Sequence, residues 1–246
     1  MDWGANSMPG GGIQLAQKKQ ILILKEATPS ELRKRWDKKR DSIKELQKNI
    51  TKLRSKVTSD MSSSDEKTQI IAAIVRIIDK TGERVGNEQS KLEGHFGITN
   101  LRKKHVTVRD SSISLSYVGK SGMKHEAAIT DTKAAGVIKR LMKQTSNEVF
   151  VTSDGLSIKA PQVNRYLADF NITAKDLRGY KCNKLMTEKL RKIKKPKTEG
   201  EIKKVFNEVL RDVAEIIGHT PGILRKNYLL PEIEEDFYGG KKVQKI

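Results

Sequence analysis

Apolar residues at Trp36, Ile43, Leu46, Ile50 and Leu53 recur at helical spacing, and Thr28-Pro29-Ser30-Glu31 ahead of them is a helix start. Leu32 to Val57 is therefore expected to be a helix, with strongly basic polar positions. Asp60 to Asp65 reads as a loop ending in an N-cap. Glu66 to Lys80 follows with Ile70, Ile71, Ala72, Ala73, Ile74, Val75, Ile77 and Ile78, and a helix so apolar belongs inside a core. From Phe96 to Thr130 the period changes. Val106-Thr107-Val108, Ile113 to Val118 and Glu126 to Ile129 alternate or run apolar, separated by Arg109-Asp110-Ser111 and Lys120-Ser121-Gly122. That pattern predicts a three-stranded antiparallel meander with tight turns. Helical spacing returns at Thr132 to Lys143, Ala160 to Phe170, Thr173 to Lys192 and Glu199 to Ile217. Phe150 to Gly155 reads as a loop or short strand, and Lys192 to Lys197 as a basic linker.

The fold class that follows is α+β, a mainly helical domain carrying a small three-stranded antiparallel sheet, with no internal repeat. It is expected to occupy 28–246, with 28–64 as a basic helical segment leading into it. Met1 to Gly12 is Gly-rich and lacks periodicity, as a disordered tail does, and Ile21-Leu22-Ile23-Leu24 is either a strand or the stub of something larger.

Charge narrows the partner. Lys and Arg total 49 against 30 Asp and Glu, a formal excess of +19 that attracts polyanions. With charged residues at 32% and no long Gly- or Arg-rich tract, nucleic acid fits that excess best. No stretch approaches the roughly 20 apolar residues of a membrane-spanning helix, and no signal-peptide core follows Met1. A single cysteine, Cys182, excludes an internal disulfide framework and a multi-cysteine metal site. The expected setting is intracellular, alongside DNA.

Candidate chemistry sits at five places. Glu215 to Pro221 ends an apolar helix at Gly218, puts His219 in the turn, and lets Thr220-Pro221 start another helix. Tyr228, nine positions beyond His219, is expected about two turns into that helix, where both side chains can meet one ligand oxygen. Arg84, just past the buried helix between Gly82 and Gly86, can be held rigidly and offer its planar fork to two phosphate oxygens. Lys120 tops a hairpin, within reach of a leaving-group oxygen or a DNA groove. Arg178 is a second phosphate-binding candidate, with Lys175 one turn earlier on the same helix face. Each has a plainer reading: a buried histidine, a half-exposed aromatic, solvated surface cations. Metal and hydrolase chemistry find no support, since His95, His105 and His125 are scattered and no Gly-x-Ser-x-Gly elbow occurs.

Taken in order, Thr81 to Glu88, Gly119-Lys120, Lys175-Asp176-Leu177-Arg178, Gly218 to Pro221 and Arg225 to Tyr228 closely resemble the signature of type IB DNA topoisomerases. The likeness is to the compact poxvirus and bacterial branch, includes Phe96 to Arg102, and runs from about Trp36 to Pro231. The resemblance implies a catalytic domain in which Tyr228 attacks a backbone phosphorus, leaving a 3′-phosphotyrosyl link and a free 5′-hydroxyl. Arg84 and Arg178 would neutralise the non-bridging oxygens, His219 would donate a hydrogen bond to one of them, and Lys120 would protonate the departing 5′-oxygen. Lys175, Asn87, Arg225 and Lys226 would contact the DNA. It implies a monomer acting on double-stranded DNA without cofactor, metal or nucleotide. Tyrosine recombinases share this set, though they usually carry His where Lys175 stands, and a non-catalytic DNA-binding fragment is the third reading. The family normally begins with a β-rich clamp domain, so 1–27 is expected to be a tail and the stub of a missing N-terminal domain.

Overall fold

The computed structural model describes residues 28–246 except 195 and 245, so the expectations for 1–27, the Ile21 to Leu24 run included, lie outside the described residues. The first helix, α1, spans Pro29–Asp60 and starts where the sequence marks it, with a capping box between Thr28 and Glu31. Its apolar stripe of Ile43, Leu46, Ile50, Leu53 and Val57 is buried. Helix α2, Glu66–Thr81, is capped by Asp65 and is the central rod of the core, with Ile70, Ala72, Ala73, Ile74, Val75 and Ile78 fully buried. Arg54 clamps the two helices by a bidentate pair to the buried Asp79, at 2.8 and 2.9 Å. Gly82 ends α2 in the left-handed conformation (φ +75°).

A short helix, α3 (Glu88–Leu92), leads to the sheet: β1 Val106–Arg109, β2 Ser112–Val118 and β3 Lys124–Thr130, antiparallel in the order β1-β2-β3. Strand β2 alternates as expected, with Ile113, Leu115 and Tyr117 inward. Register pairs Ile113 with Ile129 and Tyr117 with His125, and Asp110 takes a positive φ of 48° in the first turn. Helices α4 (Thr132–Met142), α5 (Ala160–Ala168), α6 (Ala174–Leu190) and α7 (Glu199–Ile217) match the periodic segments within a turn. The segment after Phe150 forms only an isolated bridge, Val151 with Ser157.

Two helices at the end complete the molecule: α8, Pro221–Asn227, and α9, Pro231–Tyr238. The hydrophobic pattern missed α9, whose eight residues bury Ile233 and Phe237 and pack Tyr238 against the core edge. Helix α6 lies centrally, against α1, α2, α7 and α9. The site therefore gathers where the ends of α2, α6 and α7 meet the β2–β3 turn. Among the described residues, no helix is long and apolar enough to cross a membrane.

Candidate active site

Each candidate side chain comes from or near the end of an element. Arg84 follows the Gly82 stop of α2, and His219 follows Gly218, the left-handed stop of α7 (φ +68°). Thr220 then caps α8 by accepting from the Ile223 N–H at 3.3 Å. Arg178 stands in the second turn of α6, whose start is fixed by the Thr173–Asp176 capping box. Lys120 begins a single 3-10 turn between β2 and β3. Tyr228 departs from expectation: α8 stops at Asn227, and Tyr228 is its C-cap at φ −127° and ψ −40°, outside the helix. The reason is Pro231 three residues on, which bars helix continuation and forces the chain to turn.

These pieces come together. Arg84 Nη2 lies 3.1 Å from His219 Nδ1, and the rings of His219 and Tyr228 pack with centroids 4.9 Å apart. The Arg178 guanidinium carbon sits 5.5 Å from the Tyr228 ring centre, while its Nη2 donates to the Ile217 carbonyl at 2.7 Å. Arg84, Lys120, Arg178 and Tyr228 line one cleft, together with Asn87 and Lys175. Lys120 and Lys175 are exposed at its rim. Asn87 caps α3, accepting from the Ser90 N–H at 2.7 Å.

Several buried side-chain atoms among the described residues lack a hydrogen-bond partner, Arg76 Nε, His125 Nε2, Arg225 Nε and Glu232 Oε2 included, and four more belong to Arg84, Arg178 and His219. Arg178 is 2% exposed, yet no protein group meets its Nε or Nη1; Arg84 Nη1 and His219 Nε2 are buried without partners as well. Nitrogens left so in a folded core carry a desolvation cost that an anion would offset. Burial, then the like charge of Arg178, lowers the pKa of Arg84 from its usual value. Burial, then Arg178 and Arg84, pushes His219 down to about 3, so its imidazole is neutral at ordinary pH. Arg84, Lys120, Lys175 and Arg178 make the lining of the cleft cationic.

Arg225 and Lys226 stand apart from it. Arg225 donates to Asn207 Oδ1 at 2.8 Å, pairs with Glu234 at 3.3 Å and stacks over Phe206, so its guanidinium is engaged in holding α8 to α7 and α9. Lys226 is exposed on α8 and does not line the cleft. Further residues, among them His125, which the sequence offers only as a structural or surface histidine, support the site from behind. Buried Asn183 on α6 donates to the Tyr228 carbonyl at 2.8 Å and accepts from the Leu230 N–H at 2.8 Å, fixing the turn that carries Tyr228. Its only signal in sequence is a polar residue among apolar ones on a helix. Glu83, Tyr117 and His125 form a buried polar cluster, with Tyr117 Oη donating to Glu83 at 2.5 Å. Three residues from three elements leave no periodic trace.

Among curated relatives, the DNA topoisomerase 1B of Acanthamoeba polyphaga mimivirus is 26% identical over 179 residues, 67% of this chain and 53% of that protein. The DNA topoisomerase I of Monkeypox virus is 28% identical over 143 residues, 56% of this chain and 44% of that protein. The chain thus spans about half the length of these relatives. Among solved structures, the XerH site-specific recombinase bound to difH substrate overlaps 73% of this chain and 48% of its own, at TM-score 0.47 and 15% identity. The model of one family, described as the catalytic core of eukaryotic DNA topoisomerase I, matches residues 29–236, most of the chain. It is to that family of topoisomerase catalytic cores that the chain belongs.

Proposed function

We propose that this chain carries type IB topoisomerase chemistry: it opens one strand of duplex DNA through a 3′-phosphotyrosyl link at Tyr228, lets the free end rotate, and reseals it. The supporting observation is the set of buried nitrogens without protein partners beside Tyr228, on Arg84, Arg178 and His219. Four unpartnered donors on three neighbouring cationic or neutral side chains suit the non-bridging oxygens of a phosphate better than a neutral ligand.

The Arg84–His219 contact supports one choice of donor. A guanidinium has no acceptor, so Nδ1 of the neutral imidazole must accept, and the proton resides on Nε2. That Nε2–H, buried and unpartnered, is free to donate to a non-bridging oxygen. Arg84 Nη1 and Arg178 Nε and Nη1 act on the same oxygens, strengthening as charge builds in the five-coordinate transition state. The Tyr228 oxygen bonds to phosphorus as the P–O5′ bond breaks. The phenol proton leaves to water, and an ammonium proton of Lys120 goes to the 5′-oxygen, a role its position at the cleft rim permits. Lys175 and Asn87, at the same rim, contact flanking backbone. Resealing reverses the sequence, and the phosphotyrosine keeps the bond energy, so neither nucleotide nor metal enters the reaction.

The test is relaxation of supercoiled plasmid in EDTA without ATP, with Tyr228→Phe alongside. The chain should relax plasmid and become covalently attached to DNA on denaturant quench. Tyr228→Phe should do neither while still binding duplex. Relaxation by Tyr228→Phe would show that the nucleophile lies elsewhere.

A further inference from the structure

Three segments of unrelated origin carry Arg84, Lys120 and His219, and one side chain touches the residue before each. His125, on β3, is 3% exposed. Its Nδ1 donates to Glu83 Oε2 at 2.8 Å, and Glu83 precedes Arg84. A Cβ added at Gly119, before Lys120, would lie 2.6 Å from the ring's Cδ2 and Nε2. A Cβ added at Gly218, before His219, would lie 2.5 Å from Nδ1. Both glycine backbones therefore rest directly on the imidazole, at distances that no other residue type permits. Tyr117, its cross-strand partner, stacks on the ring at 5.1 Å and 12° and donates to the same Glu83 oxygen.

We propose that His125 is a positioning residue, a buried wedge that sets the spacing of Arg84, Lys120 and His219 around the phosphate. The inference rests on the reading of those residues as catalytic. Its physical content is that the ring is held by a charge-assisted hydrogen bond at Nδ1, a stacked phenol and two glycine backbones, while its Nε2 is buried without a hydrogen-bond partner, so packing rather than a second hydrogen bond fixes that edge. It cannot touch DNA itself, being buried behind the turn. Removing it leaves the end of α2, the hairpin tip and the stop of α7 without their common spacer. Displacements of about 1 Å among groups that must act on one phosphorus are worth roughly 100-fold in rate.

The experiment compares wild type, His125→Ala and His125→Asn in the full chain. Asparagine keeps an amide near the Nδ1 position for Glu83 but lacks the ring edge that Gly119 and Gly218 rest on. Single-turnover cleavage of a suicide duplex at saturating protein is expected to fall about 30- to 100-fold in both variants. Duplex Kd should stay within about threefold. A duplex with sulfur in place of the scissile 5′-oxygen, whose thiolate departs without a proton, should recover part of the loss, the part transmitted through Lys120. A cleavage rate within about threefold of wild type, or a defect lying wholly in Kd, overturns the proposal. Should wild type form no covalent adduct, the functional reading fails separately, and amide exchange decides this one. Faster exchange at both 117–122 and 216–220 in His125→Asn supports it; unchanged exchange in both overturns it.

Discussion

Nη2 of Arg84 lies 3.1 Å from Nδ1 of His219, so an arginine chooses the tautomer of a histidine. With Nδ1 held as an acceptor, the imidazole has one outcome for its other nitrogen, a donor pointing away from Arg84. Loss of Arg84 should therefore remove its own donors and also release the His219 ring to the other tautomer. Removing one transition-state donor typically lowers kcat about 100- to 1,000-fold. Arg84→Ala is expected at the upper end of that range in single-turnover cleavage. His219→Ala added to it should contribute less than its separate effect, since the two act as a unit. Fully multiplicative losses would mean that the pair acts independently.

The same histidine makes stability depend on pH. Its pKa in the folded chain is about 3, pushed down first by burial and then by Arg178 and Arg84, against about 6.5 unfolded. Between these values the unfolded chain binds a proton that the folded one refuses. Its contribution is thus present in full above about pH 6.5 and is lost as pH falls toward 3. Between pH 7 and pH 4.5 the wild type should lose roughly 2 kcal/mol more unfolding free energy than His219→Gln, measured by urea titration at each pH. Parallel pH profiles for the two proteins would refute a neutral, buried imidazole.

Arg178 should trade stability for function. It is 2% exposed, with Nε and Nη1 unmet by any protein group, and it shares its surroundings with the Arg84 charge. Replacing such a buried charge by an apolar side chain of similar length often stabilises by about 1 to 4 kcal/mol. The hydrogen bond to the Ile217 carbonyl offsets part of that. Arg178→Met is expected to raise the thermal midpoint by roughly 2 to 6 °C while abolishing cleavage. A lower midpoint would mean that the guanidinium is a structural ion rather than one held for a phosphate.

How much of this was legible in the sequence depends on whether the signal was local. Helices α2 and α7 were plain because runs such as Ile70 to Ile78 carry their period with them, and Gly82 and Gly218 mark their stops. The turn that carries Lys120 was readable for the same reason. Helix α9 was not, because eight residues are too few to establish a period. The partners of Arg225, Asn207 and Glu234, come from other helices and are invisible along the chain. Tyr228 was expected inside the second helix, but its place just beyond α8 depends on Pro231 and on a hydrogen bond from Asn183, 45 residues away.

That long-range bond yields the last expectation. Asn183 is fully buried and uses both ends of its amide: Nδ2 donates to the Gly179 and Tyr228 carbonyls at 2.7 and 2.8 Å, and Oδ1 accepts from the Leu230 N–H at 2.8 Å. Two of these three bonds fall on the turn between α8 and α9, a segment that no regular backbone ladder secures. Asn183→Ala would leave the Tyr228 carbonyl and the Leu230 N–H buried without partners, at about 1 to 3 kcal/mol apiece. The segment can escape that cost only by shifting toward water, and Tyr228 moves with it. Asn183→Ala is accordingly expected to lower the midpoint by roughly 5 °C and the single-turnover cleavage rate by at least about tenfold, at temperatures where the variant is fully folded. Asn183→Asp keeps the acceptor for Leu230 but loses the donor to Tyr228, so it separates the two bonds. If Asn183→Asp cleaves as fast as wild type, the Tyr228 carbonyl bond does not position the nucleophile, and packing on the Arg178 and His219 side chains alone holds the phenol in place.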